Sequence, residues 1–335
     1  ALLVIVVCSA ATTMAAFMVQ RLSPQATGSG IPQVEAVLDG RMAQPAWHVI
    51  WVRFIGGLLA IGSGLALGRE GPTVHMGASI AHSLGRLLGR NDRDCRVLLA
   101  AGAGAGLATA FTAPIAGVVF ELEELARKFD TRITIATFGA SLGAIAVSRF
   151  LLGQGPDFQV EPFPYAGLGQ VWPYLGLGII AGVLGAMYNI SILKALQLAD
   201  LLRRVAAPVR AAIIGAAVGA IGFFLPNWIG GGDDLTQRVL TESPAITVLL
   251  AMFIVRFLLG ALSYAALTPG GLFAPMLVLG AQSGQLYGRA MNTCLPASAP
   301  QPHAFAVVGM AAFFTALVRA PLSGVILVFQ LTGSF

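Results

Sequence analysis

Apolar stretches of bilayer-spanning length dominate this chain, and they leave few architectures open. They occupy roughly residues 1–20, 46–68, 97–120, 133–153, 172–195, 210–229, 245–268, 272–288 and 304–331. Each is near or above the ~17–25 residues that cross the hydrocarbon core as a helix. A backbone inside lipid has no water to bond, so it spans either as helices or as a closed barrel. The runs are continuous rather than alternating, which argues against a barrel. Charged residues make up only 10% of the sequence, against about 25% in a soluble domain. The fold expected is an all-α polytopic membrane protein. Glycine, proline and single charges interrupt several runs, so broken and re-entrant helices are expected among clean spans.

The formal net charge is +5, and the basic residues cluster in short connections. Arg86, Arg90, Arg93 and Arg96 form one group, Arg127, Lys128 and Arg132 a second, Arg203, Arg204 and Arg210 a third. Between long apolar runs this pattern reports membrane topology, not nucleic-acid binding. If 86–96 and 124–132 both face the cytoplasm, the segment between them enters and returns as two partial helices broken near Pro114. Cys8, Cys95 and Cys294 have no CxxC spacing and give no disulfide framework. The chain begins inside an apolar run with no basic segment before it, which argues against a signal peptide. Both ends look cut, so residues 1–335 read as one transmembrane domain truncated at each end. No metal site is expected: His75 and His82 share a helix face, as packing residues do. Gly102-Ala103-Gly104-Ala105-Gly106 lacks the surrounding strands of a dinucleotide loop and reads as close helix packing. Gly230-Gly231-Gly232-Asp233-Asp234 reads as an exposed loop.

The chain repeats itself. With Pro72 set on Pro275, Gly77 meets Gly280, Gly85 meets Gly288 and Arg86 meets Arg289. With Pro114 set on Pro321, Ala113 meets Ala320, Gly117 meets Gly324 and Gly102 meets Gly309. The two alignments have nearly the same offset. They divide the chain into a first repeat of about 1–150 and a second of about 170–335. Repeats with Gly/Pro-interrupted helices are the pattern of secondary transporters, whose sites lie where helix N-termini meet near the midplane. An odd number of crossings per half would invert the halves.

Three loops open into helices: Gly28-Ser29-Gly30-Ile31-Pro32, Gly68-Arg69-Glu70-Gly71-Pro72 and Gly270-Gly271-Leu272-Phe273-Ala274-Pro275. Glycine frees the backbone to present its N–H groups, and proline suits the first helical turn. Free N–H groups at a helix start attract anions, and Ser29 adds a hydroxyl donor. Neutral donors hold a small anion weakly enough to release it, which a conducting site needs. An ionised Glu70 resembles such an anion and competes for the same place.

In their order and spacing these motifs resemble the chloride channel and transporter (CLC) family. Ala113-Pro114-Ile115-Ala116-Gly117 and Arg319-Ala320-Pro321-Leu322-Ser323-Gly324 extend the likeness over nearly the whole chain. The resemblance implies roles. Ser29 would be the hydroxyl ligand of a central chloride, with the backbone near Gly28 facing the inner approach. Backbone N–H groups of Arg69, Gly71, Leu272 and Phe273 would line the anion sites. Glu70 would be the gating glutamate, and Glu124, the second of the pair Glu123-Glu124, the inner proton acceptor. It implies a chloride/proton antiporter, not an enzyme, with chloride favoured over nitrate by Ser29. Chloride is substrate here, and no cofactor is expected. It further implies a homodimer with one pathway per subunit in a bilayer, here a bacterial inner membrane. The alternative is a passive voltage- or proton-gated chloride channel using Glu70 as its gate. The family's site-completing tyrosine lies beyond this sequence; Tyr165, Tyr174, Tyr188, Tyr264 and Tyr287 do not match its position. Gln330 stands where many members carry an acid, with no consequence assigned.

Overall fold

The computed structural model describes residues 2–44, 46–128, 130–153, 157–160, 171–294 and 301–333. Tyr165 lies outside them. Fourteen α-helices and a few short turns account for the described residues, and the only strand-like pairing among them is two isolated bridges. The expected all-α, polytopic architecture with broken helices is found. Among the described residues five helices are long and apolar enough to cross a membrane: α1 (Leu2–Leu22), α7 (Thr131–Leu152), α8 (Val171–Leu201), α9 (Ala207–Phe224) and α11 (Ile246–Tyr264). Large apolar side chains on them, Phe150, Leu152, Trp172 and Ile179 among them, face outward. In lipid such exposure carries no hydrophobic penalty, and the protein is an integral membrane protein.

The interruptions fall where glycine and proline predict them. The apolar run at 46–68 is α3 (His48–Gly62) followed by a loop that leads into α4 (Glu70–Leu87). The run at 97–120 breaks into α5 (Asp92–Ala110) and α6 (Pro114–Phe120), the partial helices expected around Pro114. The run at 304–331 divides likewise into α13 (Pro302–Val318) and α14 (Pro321–Thr332). Each break turns at a non-glycine residue in the left-handed region, Thr112 at φ +51° and Arg319 at φ +64°. Proline cannot continue the preceding helix but starts the next one well. Side-chain caps begin two helices: Asn91 accepts from the Asp94 amide, and Asp130 from that of Arg132, at 2.8 Å each.

Helices α1–α6 correspond to α9–α14, with α2 (Ile31–Leu38) matching α10 (Asp233–Thr241) and α4 matching α12 (Phe273–Cys294). Helices α7 and α8 have no counterpart among the described residues. Equivalent parts touch each other: α1 packs on α9 and α6 on α14. Gly68 pairs antiparallel with its own equivalent Gly271. Self-pairing of equivalents is the mark of a two-fold axis, and antiparallel pairing means the matched segments run in opposite directions.

The small residues act as the sequence implies. A Cβ on Gly77 would stand 2.3 Å from the Gly102 carbonyl oxygen, and one on Gly280 would stand 2.5 Å from that of Gly309. Helices α4 and α5, and their equivalents α12 and α13, therefore approach backbone to backbone. This close packing holds the starts of α4 and α12 firmly in the interior.

Candidate functional site

The three glycine-rich loops meet, and backbone hydrogen bonds join them. Gly28 donates to Thr268 at 3.1 Å, and Gly270 donates back to Gly28 at 3.2 Å. Gly68 and Gly271 exchange bonds of 2.8 and 2.7 Å. At this junction α4 and α12 begin with the first-turn N–H groups that no helix can satisfy internally.

A fully buried arginine holds the first loop. Arg53, on α3, donates to the carbonyls of Gly28 at 2.9 Å, Ser29 at 3.0 Å, Gln25 at 3.1 Å and Thr27 at 3.3 Å. The loop curls around the guanidinium so tightly that a Cβ on Gly30, at φ +94°, would lie 2.7 Å from Arg53 Cζ. The second half repeats this device. Arg256, on α11, donates to Gly230 at 2.6 Å, Gly231 at 2.8 Å and Trp228 at 3.3 Å. Gly232 wraps it at φ +105°. The segment 230–232 is therefore not the exposed loop expected. It is the half-buried counterpart of 28–30, and the Gly230 amide is bonded to Gly64 at 2.7 Å. Asp233 and Asp234, which open α10, are exposed as expected.

Glu70 opens α4 and is 2% exposed. Its carboxylate folds back over the junction, where the amides of Glu70 and Ala274 face it. A Cβ on Gly68 would lie 2.0 Å from Glu70 Oε2, and one on Gly271 would lie 3.4 Å from it. Oε2 has no hydrogen-bond partner, and among the described residues no ion pair holds the group. Ser29 is buried against the same helix start: a Cβ on Gly71 would meet Ser29 Oγ at 2.3 Å. Arg69 is exposed, Leu272 half-buried and Phe273 buried. The Phe273 ring contacts those of Phe111, Phe120 and Phe314, with centroids 4.8–6.4 Å apart. The structure thus brings Gly28, Ser29, Glu70, Gly71 and Phe273 to one junction. One consequence concerns Gly68→Ala: the new methyl takes the place of the carboxylate and should displace the Glu70 side chain without removing its charge. We expect ion flux through the purified variant in liposomes to rise several-fold; wild-type flux would mean that Glu70 can rest elsewhere at no cost.

The three acids after α6 have three different fates. They lie on a π-helical turn, Glu121–Leu125, a form frequent at functional sites. Glu121 is fully buried beneath α5 and α7, where Thr137 is its polar neighbour. Glu123 crosses to α14 and accepts from the Ser323 amide and hydroxyl, each at 2.7 Å. Glu124 is half-buried, 3.5 Å from Arg127, which also pairs with Glu35 at 3.1 Å. Glu124 and Glu35 thus share Arg127, and no contact of Glu124 with Glu70 is seen among the described residues. Gln330 now has a role: its Oε1 accepts from the Ala116 amide at 2.7 Å. It does for α6 what Glu123 does for α14, an amide oxygen and a carboxylate oxygen each accepting from a helix-start amide.

Sequence reasoning missed Arg53, Arg256, Glu35 and Tyr264. The arginines carried a signal: each is a lone charge in an apolar run, at the repeat's own spacing, and such a charge must find partners. Tyr264 carried none. Its ring closes on Gly28, whose Cβ would lie 3.2 Å from the hydroxyl, and the Ser29 N–H faces that hydroxyl. Although it does not match the expected tyrosine position, it reaches the same loop.

Comparison with known proteins supplies the family. A model described as voltage gated chloride channel matches residues 11–335. A protein of Vibrio parahaemolyticus named H(+)/Cl(-) exchange transporter ClcA is 35% identical over 328 residues, covering 95% of this chain and 70% of that protein. A protein of the same name from Citrobacter koseri is 34% identical over 328 residues, covering 95% of this chain and 69% of its own. Among solved structures, a slow cyanobacterial Cl-/H+ antiporter matches with a TM-score of 0.95 and 30% identity, over 100% of this chain and 79% of that one. Read together with the repeated helices and the order of the three loops, these matches mean that the chain belongs to the voltage gated chloride channel family.

Proposed function

We propose that this protein exchanges chloride for protons across a bacterial inner membrane. The observation that carries the reading is the placement of Glu70: a buried, unpaired carboxylate lies where the starts of α4 and α12 point their amides. A carboxylate held there stands in for a bound anion. When it takes a proton it loses the charge that the amides attract, and chloride can replace it. One residue then links the two ions. The relatives' names, which speak of H(+)/Cl(-) exchange, support the same reading.

In this reading Ser29 supplies a hydroxyl to the central anion, and the loop at Gly28 forms its inner approach. The amides of Arg69, Gly71, Leu272 and Phe273 line the path. Glu124, beside Arg127 and close to the inner solution, receives protons from the cytoplasm. Two copies pair through the apolar faces of α6 and α14, where Ile115, Leu322 and Val325 are exposed, and each copy keeps its own pathway.

The test is proton uptake into liposomes driven only by a chloride gradient. Uphill proton movement supports exchange. Chloride flux without proton movement would make the protein a passive channel, with Glu124 a simple helix-end acid. The variant Glu124→Gln should keep chloride flux near the wild-type rate and reduce proton movement to background. Unchanged proton movement would shift the inner acceptor to another acid, with Glu35 the first candidate.

A further inference from the structure

The exchange reading takes the basic connections at 86–96 and 124–132 as cytoplasmic, by the positive-inside rule. Helices α5 and α7 both start there and run to the opposite face. At that outer end an open cavity of about 540 Å³ is lined by Arg69, Thr109, Ala110, Thr112, Ser148 and Asp157, among others. It shares Arg69, Ala110 and Asp157 with a smaller cavity of about 100 Å³. That smaller cavity is also lined by Glu70 and Asp233. Arg69, Ala110 and Asp157 therefore form a common wall between the open cavity and the chamber that Glu70 and Asp233 line.

We propose that Asp157 and Asp233 form an outer proton relay that passes protons between the outer solution and Glu70 across the small cavity they line. The inference rests on the exchange reading above. Both aspartates keep contact with solvent, so they can load from outside, and both line the same chamber as Glu70. The Thr112 hydroxyl donates to Asp157 Oδ1 at 3.2 Å and orients it. The charged groups facing the pair are Arg69 from the start of α4, Asp234 from α10 and Arg256 from α11. Desolvation at the cavity wall raises both carboxyls above their ordinary range, against the pull of Arg69. That shift brings them nearer to the pH at which a carboxylic acid can both take and give a proton. The step is balanced: a protonated aspartate gives its proton, directly or through water, to the Glu70 carboxylate. It is left ionised and reloads from the outer solution.

The experiment uses the full-length protein in liposomes with inner pH fixed and outer pH varied, comparing wild type, Asp157→Asn, Asp233→Asn, the double variant and Asp233→Glu. In the double variant we expect exchange to fall roughly tenfold at neutral outer pH and to recover as the outer side is acidified. Its dependence on inner pH should stay that of wild type, and Asp233→Glu should keep the wild-type profile. The single variants carry the same prediction at reduced size should the double variant fail to fold. An unchanged outer-pH profile would overturn the relay. So would faster transport at every pH, which would make the aspartates an electrostatic brake on chloride. If the wild type proves to be a passive channel, the exchange reading fails separately. The relay is then read from chloride flux: its outer-pH dependence should move to lower pH in the double variant, and no movement overturns it.

Discussion

Glu70→Gln should stop proton movement altogether while chloride continues to flow. The glutamine side chain has nearly the shape of the glutamate but cannot ionise. At its native position Glu70 is 2% exposed, and amides from two helix starts face its charge. Only the ionised acid is attracted there as an anion is. The amide of glutamine brings an N–H donor to a place already supplied with donors, and its carbonyl carries no full charge. It should yield the place to chloride, as the protonated acid would. Chloride and proton fluxes measured in the same liposomes decide the matter, because the two must separate in this variant and remain locked together in wild type. Proton movement that persists at a fixed ratio to chloride would remove Glu70 from the proton path. The Gly68→Ala variant is the complement: there the acid remains but its resting place is filled.

Arg53→Met should be the most damaging single change to the scaffold. Methionine fills a similar volume but leaves the carbonyls of Gln25, Thr27, Gly28 and Ser29 without their donor. Arg53 is fully buried, so little water reaches its partners. Hydrogen bonds to charged groups contribute ~1.5–3 kcal/mol each, and breaking a buried charged network costs about 3–5 kcal/mol in all. A loss of that size should appear as a markedly lower thermal unfolding midpoint of the purified protein in detergent. Ion flux should fall with it, since the loop that carries Ser29 would lose its shape. Arg53→Lys should be intermediate, because an ammonium lacks the planar fork that reaches several carbonyls together. Arg256→Met should cost a similar amount through the equivalent loop. A wild-type midpoint in Arg53→Met would mean that the bonds joining Gly28 to Thr268 and Gly270 suffice to hold the loop.

Much of this was legible before any coordinates. The interruptions at Pro114 and Pro321 predicted α6 and α14, because proline ends one helix and begins another. The glycine run at 102–106 marked close helix packing, and the repeat alignment tied Gly77 to Gly280 and Gly102 to Gly309, the residues at which the backbones approach. Other features were hidden for specific reasons. Residues 230–232 lack the serine and proline that distinguish 28–32, so their equivalence shows only in the grip of Arg256. Asp157 and Asp233 are 76 positions apart, and no local pattern connects them. Glu121, Glu123 and Glu124 are nearly adjacent in sequence, yet the π-helical turn sends them to a buried packing site, to the start of α14 and to an ion pair with Arg127.

The sequence by itself determined that this chain lives in a bilayer, that it is built twice over, and which three glycine-rich loops open into helices. Those properties follow from local chemistry: apolar length, repeated small residues, and the conformational demands of glycine and proline. Only the tertiary structure decided that the three loops meet, that two buried arginines hold their counterparts, and that Gln330 and Glu123 exchange equivalent tasks. It also decided that Glu70 shares a chamber with Asp157 and Asp233. Such pairings depend on the two-fold relation of the halves, which brings distant segments together through backbone hydrogen bonds that no side-chain pattern records.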